Sequence, residues 1–258
     1  SVFEEVAPGK CETRTAWLSQ QRNLIFREGG KDSHWGLNNG LKALVNQALH
    51  LSVMGYDLLM PDMVGGRVQT MSEKDPLLTD ELFIRFTEAS AFMPCLQFSY
   101  FPWNYCEEVN EVVRIYANVH EKTGWYVKKL LEESKQPLIR PMWYGNDGQR
   151  ELFEISDQYM LGPDLVAAPI LSAGMESRKV VLPEGEWLDA YTGEVYGRGS
   201  MEVMVECPKI PVYIRRTNGA LYQTVHQELS RMKTGFVKSN VTTATYEVGI
   251  NRDIKVTG

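Results

Sequence analysis

Three times between residues 24 and 103, a short apolar run ends in a polar turn and gives way to a helical pattern. Leu24-Ile25-Phe26 leads into Arg27-Glu28-Gly29-Gly30-Lys31-Asp32-Ser33-His34-Trp35-Gly36. Leu58-Leu59-Met60 leads into Pro61-Asp62-Met63-Val64-Gly65-Gly66. Cys95-Leu96-Gln97-Phe98-Ser99 leads into Tyr100-Phe101-Pro102-Trp103. Strand, loop and helix in alternation predict a parallel α/β arrangement, because parallel neighbours need a crossover and a helix is the usual one. In a parallel sheet the three strand ends share one side, which places Asp32, Asp62 and Trp103 together. Eight such units close a (β/α)8 barrel of about 250 residues. Residues 1–136 hold about four, so the expected fold is the C-terminal half of a TIM barrel.

The helices follow from their periods. Apolar positions recur every three to four residues over 37–54, with Gly55 as a stop. A second helix is expected from Thr79 to Phe92, with Thr79 as the N-cap and Asp80 and Glu81 in the first turn. A helical pattern then runs from Glu107 to about Glu133, expected as two helices broken near Lys122-Thr123-Gly124. Ahead of these, Thr15-Ala16-Trp17-Leu18 and Asn23 to Phe26 read as short extended segments, and 67–77 as a polar loop.

After Gln136 the pattern changes. Short strand-like runs (138–142, 165–171, 179–182, 201–205 and 211–215) are separated by Asp-Gly, Glu-Gly-Glu and Thr-Gly-Glu turns. Residues 137–222 therefore read as a small antiparallel β-sandwich domain. Residues 223–258 read as further strands or a loose tail.

Several classes of function are disfavoured. A net charge of −6 without a basic cluster argues against nucleic acid. No apolar run reaches the roughly 18 residues of a membrane helix. The four histidines, His34, His50, His120 and His226, lack the HExxH spacing of a zinc hydrolase, and no GxSxG elbow or GxGxxG loop is present. Cys11, Cys95, Cys106 and Cys207 fit no zinc pattern, so no metal or cofactor is called for. Cys95 reads as a buried thiol, with a Cys95–Cys106 disulfide left open. The chain begins with Ser1, consistent with a processed or truncated product. The sequon Asn240-Val241-Thr242 points to the secretory pathway, in the endoplasmic reticulum lumen or outside the cell.

Taken alone, Asp32 reads most simply as a polar acid ahead of a helix, Asp62 as an acid bonding its own turn, and Arg14 as a surface arginine. A longer series weighs against that plain reading. Arg14 to Gln20, the Asp32–Trp35 loop, Gly55 to Gly66, Glu81 to Phe86 and Ala91 to Pro94 are followed by Pro137 to Pro141, Asp157 to Leu165, Ala168-Pro169-Ile170, Val181 to Trp187 and Ile210 to Tyr213. In this order, over residues 1–222, they resemble glycoside hydrolase family 31, the retaining α-glucosidases and α-xylosidases. The Lys31–Gly36 loop and Gln97-Phe98-Ser99 resemble a branch associated with α-galactosidase activity.

The resemblance implies a retaining α-glycosidase acting on a carbohydrate, a terminal α-linked galactoside or glucoside, by double displacement. Its two carboxylates lie about 5–5.5 Å apart. By motif position Asp32 is the acid/base, and Arg14, Trp35, Asp62, Ser99 and Trp103 contact the sugar. Ser99 stands where many members have a histidine, and Asp62 lines the pocket base. Trp35 and Trp103 are expected to cover Asp32, and Lys31 to point outward. The family's nucleophilic aspartate lies on an earlier barrel strand, so the resemblance implies that the missing N-terminal part of the same polypeptide is a partner and that this chain alone is inactive. The alternative is a catalytically inactive relative serving as a carbohydrate- or partner-binding scaffold. A homo-oligomer is left open.

Overall fold

The computed structural model describes residues 10–20, 22, 24–67, 78–133, 136–146 and 148–233. Asn23, the 68–77 loop, the Asn240 sequon and residues 234–258 lie outside them. The first half contains a parallel ladder of three strands, β1 (Glu12–Arg14), β2 (Ile25–Arg27) and β3 (Leu59–Met60), in that order. A parallel bridge between Val64 and Phe98 continues it where a third strand was expected. The segment Thr15–Leu18 is not a strand. Trp17 is 91% exposed there, and Leu18 has a positive φ of 59°.

Helix α1 (Leu41–Val53) starts four residues later than its period predicts. Leu37 falls on the apolar stripe but is exposed in a turn, and Gly40 makes the close approach. A Cβ on Gly40 would sit 2.7 Å from Gly36 O and closer still to His34. Helix α2 (Asp80–Ala91) is capped as expected: Thr79 Oγ1 accepts from Leu82 N at 3.2 Å, with Asp80 and Glu81 in the first turn. Helix α3 (Glu107–Glu133) runs unbroken, contrary to the expected break near 122–124. Thr123 turns its hydroxyl onto Val119 O, and Gly124 costs only about 1 kcal/mol in a helix whose apolar face is buried.

The second half is built on a six-stranded antiparallel sheet. Its strands are β4 (Ile139–Arg140), β5 (Tyr159–Leu161), β6 (Leu165–Ala167), β8 (Trp187–Asp189), β9 (Val195–Tyr196) and β11 (Val212–Arg215). Their order is β4-β5-β6-β11-β8-β9. A two-stranded sheet of β7 (Ser177–Leu182) and β10 (Gly199–Met204) lies over one face. Successive side chains on a strand point to opposite faces, and the alternation sorts them into two cores. Tyr159, Leu161, Leu165, Ala167, Val212 and Ile214 join the helical core. Met160, Val166 and Tyr213 pack instead with Val180, Leu182 and Trp187 under the small sheet.

The inner face of the large sheet thus shares one core with α1, α2 and α3. Residues 219–222, expected in the β-domain, and 223–229, expected as strands or tail, form helix α4 (Gly219–Leu229), which buries Leu221, Val225 and Leu229 in the same core. Among the described residues no helix is long and apolar enough to cross a membrane.

Candidate active site at the parallel strand ends

The loop leaving β2 and the loop leaving β3 lie against each other. Lys31 O accepts from Arg67 N at 2.7 Å, Ser33 N donates to Arg67 O at 3.3 Å, and Ser33 Oγ donates to Gly65 O at 2.6 Å. Gly66 permits this contact. Its φ is +66°, and a Cβ there would sit 2.9 Å from Lys31 O and from the Asp32 carbonyl carbon. The sequence pattern that joined the two glycine-bearing turns to strand ends has this structural basis.

Asp32 is 8% exposed. Its backbone N–H donates to Asn39 O at 2.8 Å. Its carboxylate faces the Arg67 guanidinium at 3.4 Å and the Asn39 amide at 3.5 Å. Asp62 is 3% exposed and holds a positive φ of 77°, which a short polar side chain tolerates better than most. Its Oδ1 accepts from Arg27 Nε at 2.7 Å, and its Oδ2 accepts from Lys31 N at 2.6 Å. It therefore bonds the neighbouring loop's amide. Arg27 also reaches Glu12 on β1 at 2.8 Å, so one chain of charges crosses all three parallel strands.

Lys31 points inward, and this corrects the sequence expectation. It is fully buried, and its ammonium donates to Gly29 O at 2.7 Å and Gln47 Oε1 at 2.7 Å and meets Glu28 Oε2 at 3.1 Å. Two of its three N–H donors are hydrogen-bonded, to Gly29 O and Gln47 Oε1, and Glu28 stands at ion-pair distance with both carboxylate oxygens buried and not hydrogen-bonded. Burial pushes the Glu28 carboxyl up to about 8. Lys31 pulls against that shift, and Asp62 adds to it. Sequence reasoning missed Glu28, Gln47 and Arg67. The run Arg27-Glu28-Gly29-Gly30-Lys31-Asp32 signals a dense charge cluster after a strand, but not which charges turn in.

The other expected site residues divide. Trp35 is half-buried against the helical core. Ser99 donates its hydroxyl to Val64 O at 2.7 Å, which ties the segment after the Val64–Phe98 bridge to the loop leaving β3. Trp103 stacks on Phe101 at 4.7 Å and is 68% exposed, a solvent-facing platform rather than an apolar lid. Arg14 is exposed on β1 beside Arg27, and Arg27 is the arginine that joins the cluster. Cys95 and Cys106 are both thiols. Cys95 is half-buried, and burial pushes it up to about 11. Among the described residues no group of three or more His, Cys, Asp or Glu is placed to hold a metal.

A solved α-xylosidase of family 31 from a soil metagenome, complexed with xylose, superposes with a TM-score of 0.72 at 27% identity, covering 83% of this chain and 35% of that one.

Residues 135–218 match the glycosyl hydrolase family 31 C-terminal domain, and the chain belongs to that family. Over 73% of its length it is 34% identical to the myogenesis-regulating glycosidase of Mus musculus. Over 79% it is 30% identical to the SITS-binding protein of Tetronarce californica. It spans 27% and 29% of those two relatives.

Proposed function

We propose that this chain supplies the acid/base half of a retaining α-glycosidase. On this reading residues 1–136 are the C-terminal part of a (β/α)8 barrel, and residues 137–222 are the β-domain that buttresses it. The supporting observation is that the Asp32 loop and Asp62 are locked together at the parallel strand ends, in a chain of family 31. Asp32 protonates the leaving glycosidic oxygen and then takes a proton from the water that hydrolyses the sugar ester. Asp62, oriented by Arg27, and the Trp35 and Trp103 rings line the sugar site. The nucleophilic carboxylate comes from the preceding part of the same polypeptide, so this chain alone does not turn over. The substrate is a terminal α-linked galactoside or glucoside, met in the secretory pathway.

A second reading is a non-catalytic scaffold that binds carbohydrate or a partner. It is favoured by Ser99, whose hydroxyl is committed to Val64 O, and by Arg67 and Asn39, which occupy the Asp32 carboxylate. Hydrolysis of nitrophenyl α-galactoside and α-glucoside by the full-length polypeptide, with and without Asp32→Asn, separates the two. The glycosidase reading expects turnover and a loss of about 100- to 10,000-fold on substitution, the usual range for general acid/base catalysis. Absence of turnover, or an unchanged variant, leaves the scaffold.

A further inference from the structure

Lys31 sits one residue before Asp32, and the proposed chemistry does not use it. Its side chain runs away from Asp32 into the protein, where Gly29, Gln47 and Glu28 surround the ammonium. Its own backbone holds both neighbouring loops. Lys31 N donates to Asp62 Oδ2 at 2.6 Å, and Lys31 O accepts from Arg67 N at 2.7 Å. Arg67 in turn faces the Asp32 carboxylate. A single residue thus connects helix α1 through Gln47, the β3 loop through Asp62 and Arg67, and the Asp32 loop itself.

We propose that Lys31 is the positioning residue of this site: its buried ammonium pegs the loop so that Asp32 and Asp62 are held in fixed relation. The proposal rests on the glycosidase reading for its catalytic consequence, though not for its structural one. A peg is needed because the loop contains Gly29 and Gly30, which add backbone freedom at the point where an acid must be placed. The strands beside it are only two and three residues long, so regular pairing supplies little restraint. Misplacing a catalytic group by about 1 Å costs on the order of 100-fold in rate.

The test uses the full-length polypeptide with Lys31→Met, and with Gln47→Leu as a milder variant that keeps the ammonium. Two readouts are taken: hydrolysis of aryl α-glycosides with good and poor leaving groups, and amide hydrogen exchange at Lys31 and Arg67. Lys31→Met is expected to lower kcat/KM about 100-fold for poor leaving groups, which need the acid, and far less for good ones. Amide exchange at both positions is expected to accelerate. Gln47→Leu shifts both readouts in the same direction by less, and it decides the matter if Lys31→Met does not fold.

Wild-type leaving-group dependence and unchanged exchange in the folded variants would overturn the proposal. An equal loss of kcat/KM for all leaving groups would also overturn it, because it would place Lys31 in general stability. Should the wild-type polypeptide cleave no glycoside, the glycosidase reading fails, and exchange alone decides whether Lys31 pegs the loop.

Discussion

In the antiparallel domain, β7 and β10 pair along six residues and the large sheet is buried on both faces. In the parallel ladder, β3 is two residues long and the loops beyond it are held by charge. Trp187 shows the first style. It is fully buried, its Nε1 donates to Pro183 O at 2.9 Å, and the Arg215 guanidinium lies over its ring at 4.4 Å. Lys31 shows the second, a fully buried cation held by two hydrogen bonds and an ion pair in a glycine-bearing loop. Apolar packing is strong but non-directional, whereas hydrogen-bonded charge fixes direction at a net cost or little gain. The difference teaches a division of labour. The β-domain and the helices anchored in its core supply stability, and the ladder spends part of it on orienting acids.

That division is open to breakage. Trp187→Ala is expected to lower unfolding free energy by about 3–5 kcal/mol, measured by denaturant titration, while leaving the folded fraction's chemistry unchanged. An equal loss in kcat would show that the halves are not separable.

Glu28 comes next. Its folded-state carboxyl titrates near 8 against an ordinary value of 4.5. Its stabilising contribution is therefore complete below pH 4.5 and is lost as pH rises through about 8. Unfolding free energy followed across that window is expected to decline with pH in the wild type. The decline is expected to flatten in Glu28→Gln, whose amide is neutral throughout. A Glu28→Gln slope matching wild type would mean that the carboxyl stays charged beside Lys31.

The smallest effect belongs to Thr79→Ala. It removes the α2 cap and is expected to cost about 1 kcal/mol in thermal unfolding, with no change in leaving-group dependence.

The same contrast explains what could be read from the chain. Thr79, Gly55 and the glycine pairs at strand ends are local signals, and they placed α2, the end of α1 and the two loops where they are found. The β-domain's antiparallel character came through its turns. Three of its strands, β5, β8 and β9, were not seen because they are two or three residues long, and β5 is buried on both sides, so no alternation marks it. Helix α4 had a cap signal in Asn218, whose Oδ1 accepts from Leu221 N, but polar residues around it masked the period.

Lys31 was misread for a different reason. A lysine is ordinarily exposed, and the acceptors that reverse this come from Gln47, sixteen positions away, and from a glutamate in the same loop. Asp32 and Asp62 were legible as strand-end acids. Their partners Arg67 and Arg27, thirty-five residues from them in each case, were not, because only the parallel register brings them together.

The central claim is that Asp32 is the acid/base, and azide rescue tests it most directly. In the full-length polypeptide carrying Asp32→Ala, an activated aryl α-glycoside is supplied with sodium azide. If Asp32 is the acid/base, the glycosyl-enzyme accumulates, azide enters the space its carboxylate vacates without needing a base, turnover recovers, and the product is an α-glycosyl azide. If azide leaves the rate unchanged, or the product is the β-azide, Asp32 does not act as the acid/base and the account of this site is wrong.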